Sequence, residues 1–270
     1  MPRSLFVLPD DTAQPIVDVI AGARTMLRAA VLLALACAGA TAHATGVGSA
    51  EVQINLCSEP SEIARRLELT SASAEPVEAW YFDSAGLDLW QQGLLFRLRI
   101  KANKPELTLK AKRQDCAHLA AGLLPAAEGK CEYDLHGSSL EGAVSLNAVL
   151  DDATLRGLLD GRNRIEDALS AAQIRFLREG VHTWPLPRDL KRLGPARIQA
   201  YRHPHHRFVV EVWRLPSGRQ FVEISAKAAL DDAPRVQGEL QHTLAQAGVQ
   251  ACADQSSQAR AKLEDLLPAR

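Results

Sequence analysis

Eight stretches of the chain alternate polar and apolar residues, the pattern of strands whose side chains point to opposite faces of a sheet. They run from Glu51 to Leu56, Val77 to Asp83, Leu94 to Lys101, Leu107 to Lys112, Cys131 to His136, Arg197 to Arg202, Arg207 to Arg214 and Arg219 to Lys227. Short turns join several of them: Ala102 to Glu106 with Asn103 and Pro105, His203 to His206 around Pro204, and Leu215-Pro-Ser-Gly218. Helical patterns fill the gaps at Ser58 to Leu69, Ala153 to Leu159, Ile165 to Leu177, Pro234 to Ala247 and Ala259 to Leu267. The helices at 150–190 read as a central insertion, and Trp184 to Gly194-Pro195 as a rigid connector. Together these elements predict an α+β fold built mainly on antiparallel strands.

Ahead of the first strand lies a different pattern. Met26-Leu27-Arg28, an apolar run from Ala29 to Ala40 and Ala42-His43-Ala44 have the order of a secretory signal peptide. The run is too short to span a bilayer of about 30 Å as a helix. Asp10, Asp11 and Asp18 precede it, which is foreign to a signal's leading region, so translation is expected to start at Met26. Residues 1–44 are accordingly set aside, and 45–270 are expected to form a single domain of an exported protein, periplasmic or secreted.

Cysteine use agrees with export. Cys57, Cys116, Cys131 and Cys252 follow the cleavage site, an even number without C-x-x-C spacing, which predicts two disulfides. Three pairings are possible. Cys116–Cys131, closing one long loop, together with Cys57–Cys252 is the expected set. A loop of about 15 residues closed in this way contributes about 3 kcal/mol.

Charge changes the picture through its placement. With 31 Lys+Arg against 32 Asp+Glu the chain is near neutral, which excludes a general nucleic-acid surface. Yet Arg97, Arg99 and Lys101 share one face of their strand, as do Lys110, Lys112 and Thr108 on the next. Five cations paired across adjacent strands repel one another. Glu51, Glu132, Asp134 and Glu223 are candidate protein counter-ions, and a phosphate-bearing ligand is another, since the guanidinium fork suits phosphate. With apolar faces at Val52/Ile54/Leu56, Leu98/Ile100 and Leu107/Leu109, a closed barrel with helices outside and a charged interior satisfies both faces.

The segments Phe96-Arg-Leu-Arg-Ile100 and Leu107-Thr-Leu-Lys-Ala-Lys112, with Trp80-Tyr-Phe-Asp83 leading into Leu87-Asp-Leu-Trp-Gln-Gln-Gly93, resemble the CYTH, or triphosphate tunnel, superfamily. Glu51-Val-Gln-Ile-Asn55 falls where that family carries Glu-x-Glu-x-Lys, and Leu215 to Ser225 resembles its late hairpin ending in Glu-x-Glu. The resemblance implies an eight-stranded antiparallel tunnel in which cations grip a triphosphate and carboxylates hold Mg²⁺ or Mn²⁺ for hydrolysis. Carried over by position, Arg97, Arg99, Lys110 and Lys112 would bind phosphate oxygens, joined by Arg197. Glu51 and Glu223 would be the metal ligands and catalytic carboxylates. Gln53, Asn55 and Ser225 depart from the pattern, removing two carboxylates that a hard cation prefers.

Three functions follow as alternatives: metal-dependent hydrolysis of a triphosphate or polyphosphate, binding of such an anion without catalysis, and a disulfide-tied structural module of the envelope. His203-Pro-His-His206 is a rival transition-metal signal within what otherwise reads as a hairpin turn.

Overall fold

The computed structural model describes residues 48–120, 122–203 and 207–268. The signal segment expected at 26–44 lies outside these residues. Among them, no helix is long and apolar enough to cross a membrane.

Nine strands close into a barrel: β1 (Ser49–Leu56), β2 (Ala74–Asp83), β3 (Leu94–Lys101), β4 (Lys104–Lys112), β5 (Gly129–His136), β6 (Ser139–Val149), β7 (Lys191–Arg202), β8 (Phe208–Arg214) and β9 (Gln220–Ala229). Around the barrel they stand in the order β1-β5-β6-β4-β3-β2-β7-β8-β9. Two corrections to the expected eight-stranded antiparallel tunnel follow. The ninth strand is β6, and β1 pairs with β5 in parallel while every other pair is antiparallel. Gly142 and the small residues Ala143 and Ser145 dilute the alternation of β6 in the sequence. The glycine is required, because a Cβ there would meet the Gln114 carbonyl oxygen at 2.1 Å.

A third correction concerns Gly194-Pro195, expected in a connector but found inside β7. There β7 carries two residues opposite Trp80, between the pairs Ala79–Ala196 and Tyr81–Leu193. A bulge of this kind accommodates a proline, which has no N–H to offer the ladder.

Outer faces supply most of the core. Phe96, Leu98, Leu107, Leu109, Val144 and Leu146 pack beneath the 150–190 insertion, against Leu158, Ile165, Phe176 and Leu177. The insertion therefore covers the barrel wall. Its helices are α3 (Asp152–Leu159) and α4 (Ala171–Arg175). The single helix expected from Ile165 to Leu177 is broken because Ser170 starts a new one: its Oγ accepts from the Gln173 N–H at 3.2 Å and its own N–H donates to Gln173 Oε1 at 3.0 Å. A second outer cluster joins Val52, Ile54, Val210, Val222 and Ile224 to Ile63, Leu240 and Leu244. Ile63 lies on α1 (Pro60–Arg66), and the two leucines on α5 (Ala233–Ala247), which ends at Gly248 with φ +66°.

A third cluster lies on the inner face. Val77, Ala79, Tyr81, Ile198, Trp213 and Phe221 pack with Leu263 and Leu266 of α6 (Ala259–Leu266), so the C-terminal helix stops one end of the barrel. Both expected disulfides are present. Cys116–Cys131 closes the β4–β5 loop, and Cys57–Cys252 ties the end of β1 to the segment leading into α6.

Candidate functional site

Register decides which side chains share the lumen. Arg97 stands opposite Tyr81 and Thr108, Arg99 opposite Ala79 and Glu106, and Lys110 opposite Leu95 and Ser145. Directly paired residues point to the same face, so Arg97, Arg99, Lys110 and Lys112 all point inward. Glu51 joins them beside Asp134 and Lys227, and Glu223 lies between Asn55 on β1 and Glu211 on β8. The structure thus gathers six of the seven expected site residues in one lumen. Arg197 is the exception. It is exposed on the outer face, opposite Glu78 and Arg214.

The lumenal cations are matched to carboxylates mostly across strands. Arg99 Nη2 donates to Glu211 Oε1 at 2.5 Å and Lys110 Nζ to Asp134 Oδ2 at 2.5 Å. Lys112 lies 3.3 Å from Glu141, and Lys101 2.8 Å from Glu75. Burial lowers the Arg99 pKa, but the Glu211 charge and hydrogen bond outweigh it and leave the value above the ordinary one. Arg97 is different: among the described residues it has no ion pair or hydrogen bond, and its buried Nε lacks an acceptor. Burial first, and then Arg99, push its pKa below the ordinary arginine value.

Glu51 and Glu223, the expected metal ligands, are each held by a lysine. Lys227 Nζ donates to Glu51 at 3.0 Å and also to Glu132 at 3.0 and 3.2 Å. Lys262 Nζ donates to Glu223 at 2.8 Å and sits 4.0 Å from the centre of the Trp213 ring. Burial pushes the Glu223 carboxyl up, yet Lys262, by charge and hydrogen bond, with His136 and Arg99, holds it below the ordinary carboxylate range. Asn55 is turned to the backbone. Its Nδ2 donates to the carbonyls of Asp254 (3.2 Å) and Ser256 (2.9 Å), clasping the segment that carries α6. No group of three or more His, Cys, Asp or Glu converges as a metal site among the described residues. With an ammonium on each carboxylate and the neighbouring amide occupied, this donor set does not fit a hard divalent cation. The histidine turn cannot be placed in this picture, because 204–206 lie outside the described residues.

At the end away from α6 the lumen opens into a cavity of about 1020 Å³, lined by six Lys/Arg side chains and four Glu. Arg99, Lys101 and Lys227 of this lining are paired as above. Lys104, Arg202 and Arg207 have no carboxylate partner among the described residues, and Glu106 has no cationic one. Along β3, Lys101 lies at this mouth, Arg99 with Glu211 at its floor, and Arg97 one step deeper. Sequence reasoning missed Glu211, Glu141, Lys104, Arg202 and Lys262. The alternation Val209-x-Glu211-x-Trp213 could have exposed Glu211, but Lys262 sits on an ordinary amphipathic helix and gave no signal.

No protein-family model matches the chain, and no curated protein sequence does. Among solved structures, HpAC1 from Hippeastrum, described as an adenylyl cyclase candidate with a dominant triphosphatase activity, is 17% identical with a TM-score of 0.54. The match covers 78% of this chain and 92% of that one. An adenylate cyclase candidate from Bacillus halodurans is 14% identical, with a TM-score of 0.49, over 79% of this chain and 98% of that one. The chain thus shares its closed-barrel fold with the Hippeastrum protein.

Proposed function

We propose that the barrel binds a small phosphorylated anion of the triphosphate or short-polyphosphate class through its open end, without a divalent metal. The observation that carries this reading is the mouth: Lys104, Arg202 and Arg207 line it without a carboxylate partner among the described residues. Unpaired cations around a concave opening focus field on an entering anion. The volume, near the top of the range of about 300–1,000 Å³ usual for ligand pockets, leaves room for a chain of phosphates. Arg97, deeper and unpartnered, gives such a chain a second point of attachment. The activity named for the Hippeastrum protein agrees with the ligand class. Two disulfides support an exported protein, periplasmic or secreted, as its setting.

Calorimetry with tripolyphosphate tests the reading on the oxidised protein, in chelator and in Mg²⁺ or Mn²⁺. Binding is expected to be equal in both and to weaken as salt rises. Replacing Lys104 and Arg202 together with Ala is expected to weaken it about tenfold, the effect of one or two charged hydrogen bonds. Arg197→Ala, on the outer face, should change nothing. Metal-dependent phosphate release that disappears in Glu51→Gln would replace this reading with that of a triphosphatase.

A further inference from the structure

Three ion pairs neutralise much of the charge at the mouth: Glu211 with Arg99, Glu75 with Lys101 and Glu51 with Lys227. Glu106 is the carboxylate left over. Across the β3–β4 ladder it stands directly opposite Arg99, where an opposite-charge pair would ordinarily form. The Arg99 guanidinium instead reaches over the lumen to Glu211. Lys104, two residues before Glu106 and on the same face, has no carboxylate partner among the described residues either. Glu106 therefore presents free acceptor oxygens to the cavity it lines.

Its neighbour on the other side points the same way. On β6, Glu106 pairs with Val149, which also lines the mouth and is 79% exposed, more than any other large apolar side chain among the described residues. An inorganic phosphate chain has use for neither group, since the carboxylate repels it and the valine offers it no polar atom. A positive group on a short aliphatic stem would suit both.

We propose that Glu106 and Val149 select the organic end of the ligand, which is a small polyphosphate ester carrying an amine. Its phosphates meet Lys104, Arg202 and Arg207, its ammonium meets Glu106, and its carbon linker covers Val149. The charges agree: three cations and one carboxylate without protein partners match several anionic oxygens and a single ammonium. This rests on the proposed anion binding and narrows it from an inorganic chain to an aminoalkyl ester.

Calorimetry on the oxidised full chain in chelator tests it with 2-aminoethyl triphosphate, ethyl triphosphate and tripolyphosphate. The two esters differ by the ammonium, which lowers the net negative charge, so cations alone would favour the ethyl ester. Wild type is expected to favour the aminoethyl ester by about tenfold, the effect of one charged hydrogen bond. In Glu106→Gln that preference should vanish, the aminoethyl ester binding more weakly and the ethyl ester more tightly. A folding defect would weaken both, and Glu106→Ala repeats the comparison if the glutamine variant does not fold. Equal affinities for the two esters in wild type, or a preference that survives in Glu106→Gln, would overturn the inference. Tripolyphosphate binding in either of those cases leaves the proposed function standing, whereas failure of all three probes to bind removes both.

Discussion

A carboxylate largely withdrawn from bulk water favours a neutralising partner, and at Glu223 that charge arrives from a helix about forty residues further along the chain. Removing one partner of such a pair leaves the other uncompensated, so Lys262→Met is expected to cost about 3–5 kcal/mol, whereas replacing both together should cost far less. Thermal denaturation of the two variants measures the difference. The pH dependence follows from the same pair. Because Glu223 titrates below its ordinary value of 4.5 in the folded protein, its contribution is complete above that value and is lost as pH falls through the lowered folded one. Melting temperatures followed from pH 6 to pH 3 should drop steeply below about pH 4.5, and less so in Lys262→Met/Glu223→Gln. Identical slopes in the two proteins would contradict this account.

Among the elements, β6 and α6 carry most of what the sequence pattern did not reveal. β6 was overlooked because its outward positions include Gly142, whose missing side chain lets the Gln114 carbonyl approach. Gly142→Ala would bring a methyl to 2.1 Å from that oxygen. It should lower stability by about 1–3 kcal/mol, the scale of an overpacked core, as read from a denaturant midpoint. α6 was legible as a helix but not as a stopper. Nothing in Ala-Arg-Ala-Lys-Leu-Glu-Asp-Leu distinguishes a helix lying on a surface from one that turns its lysine into a lumen. The strand pattern, by contrast, was readable wherever strict alternation put charge on one face and Leu, Ile or Val on the other.

For the whole molecule, the two disulfides have unequal reach. Cys116–Cys131 spans 15 residues, whereas Cys57–Cys252 spans 195 and ties the end of β1 to the segment leading into α6. On the chain-entropy model the longer loop contributes about 5 kcal/mol, the shorter about 3 kcal/mol. Cys57→Ser/Cys252→Ser is therefore expected to lower the melting temperature more than Cys116→Ser/Cys131→Ser. Equal losses would mean that strain or residual unfolded structure, not loop closure, sets the effect. The barrel also divides the work of its two ends: α6 stops one, and the other carries the mouth in which Lys104, Arg202 and Arg207 stand.

The sequence alone determined that alternating strands carry a cationic face, that the chain resembles the triphosphate tunnel superfamily, and that its cysteines number enough for two disulfides, with the pairing left to the structure. These are local properties, written in a period of two and in residue type. Only the tertiary structure decided that the barrel has nine strands with one parallel pair, that the 150–190 insertion lies on the wall, and that Arg197 faces outward. It also decided that Glu51 and Glu223 face lysines. The reason is physical: a charge is neutralised by whatever the fold brings within a few ångströms, and Lys227 and Lys262 lie 176 and 39 residues from their partners along the chain.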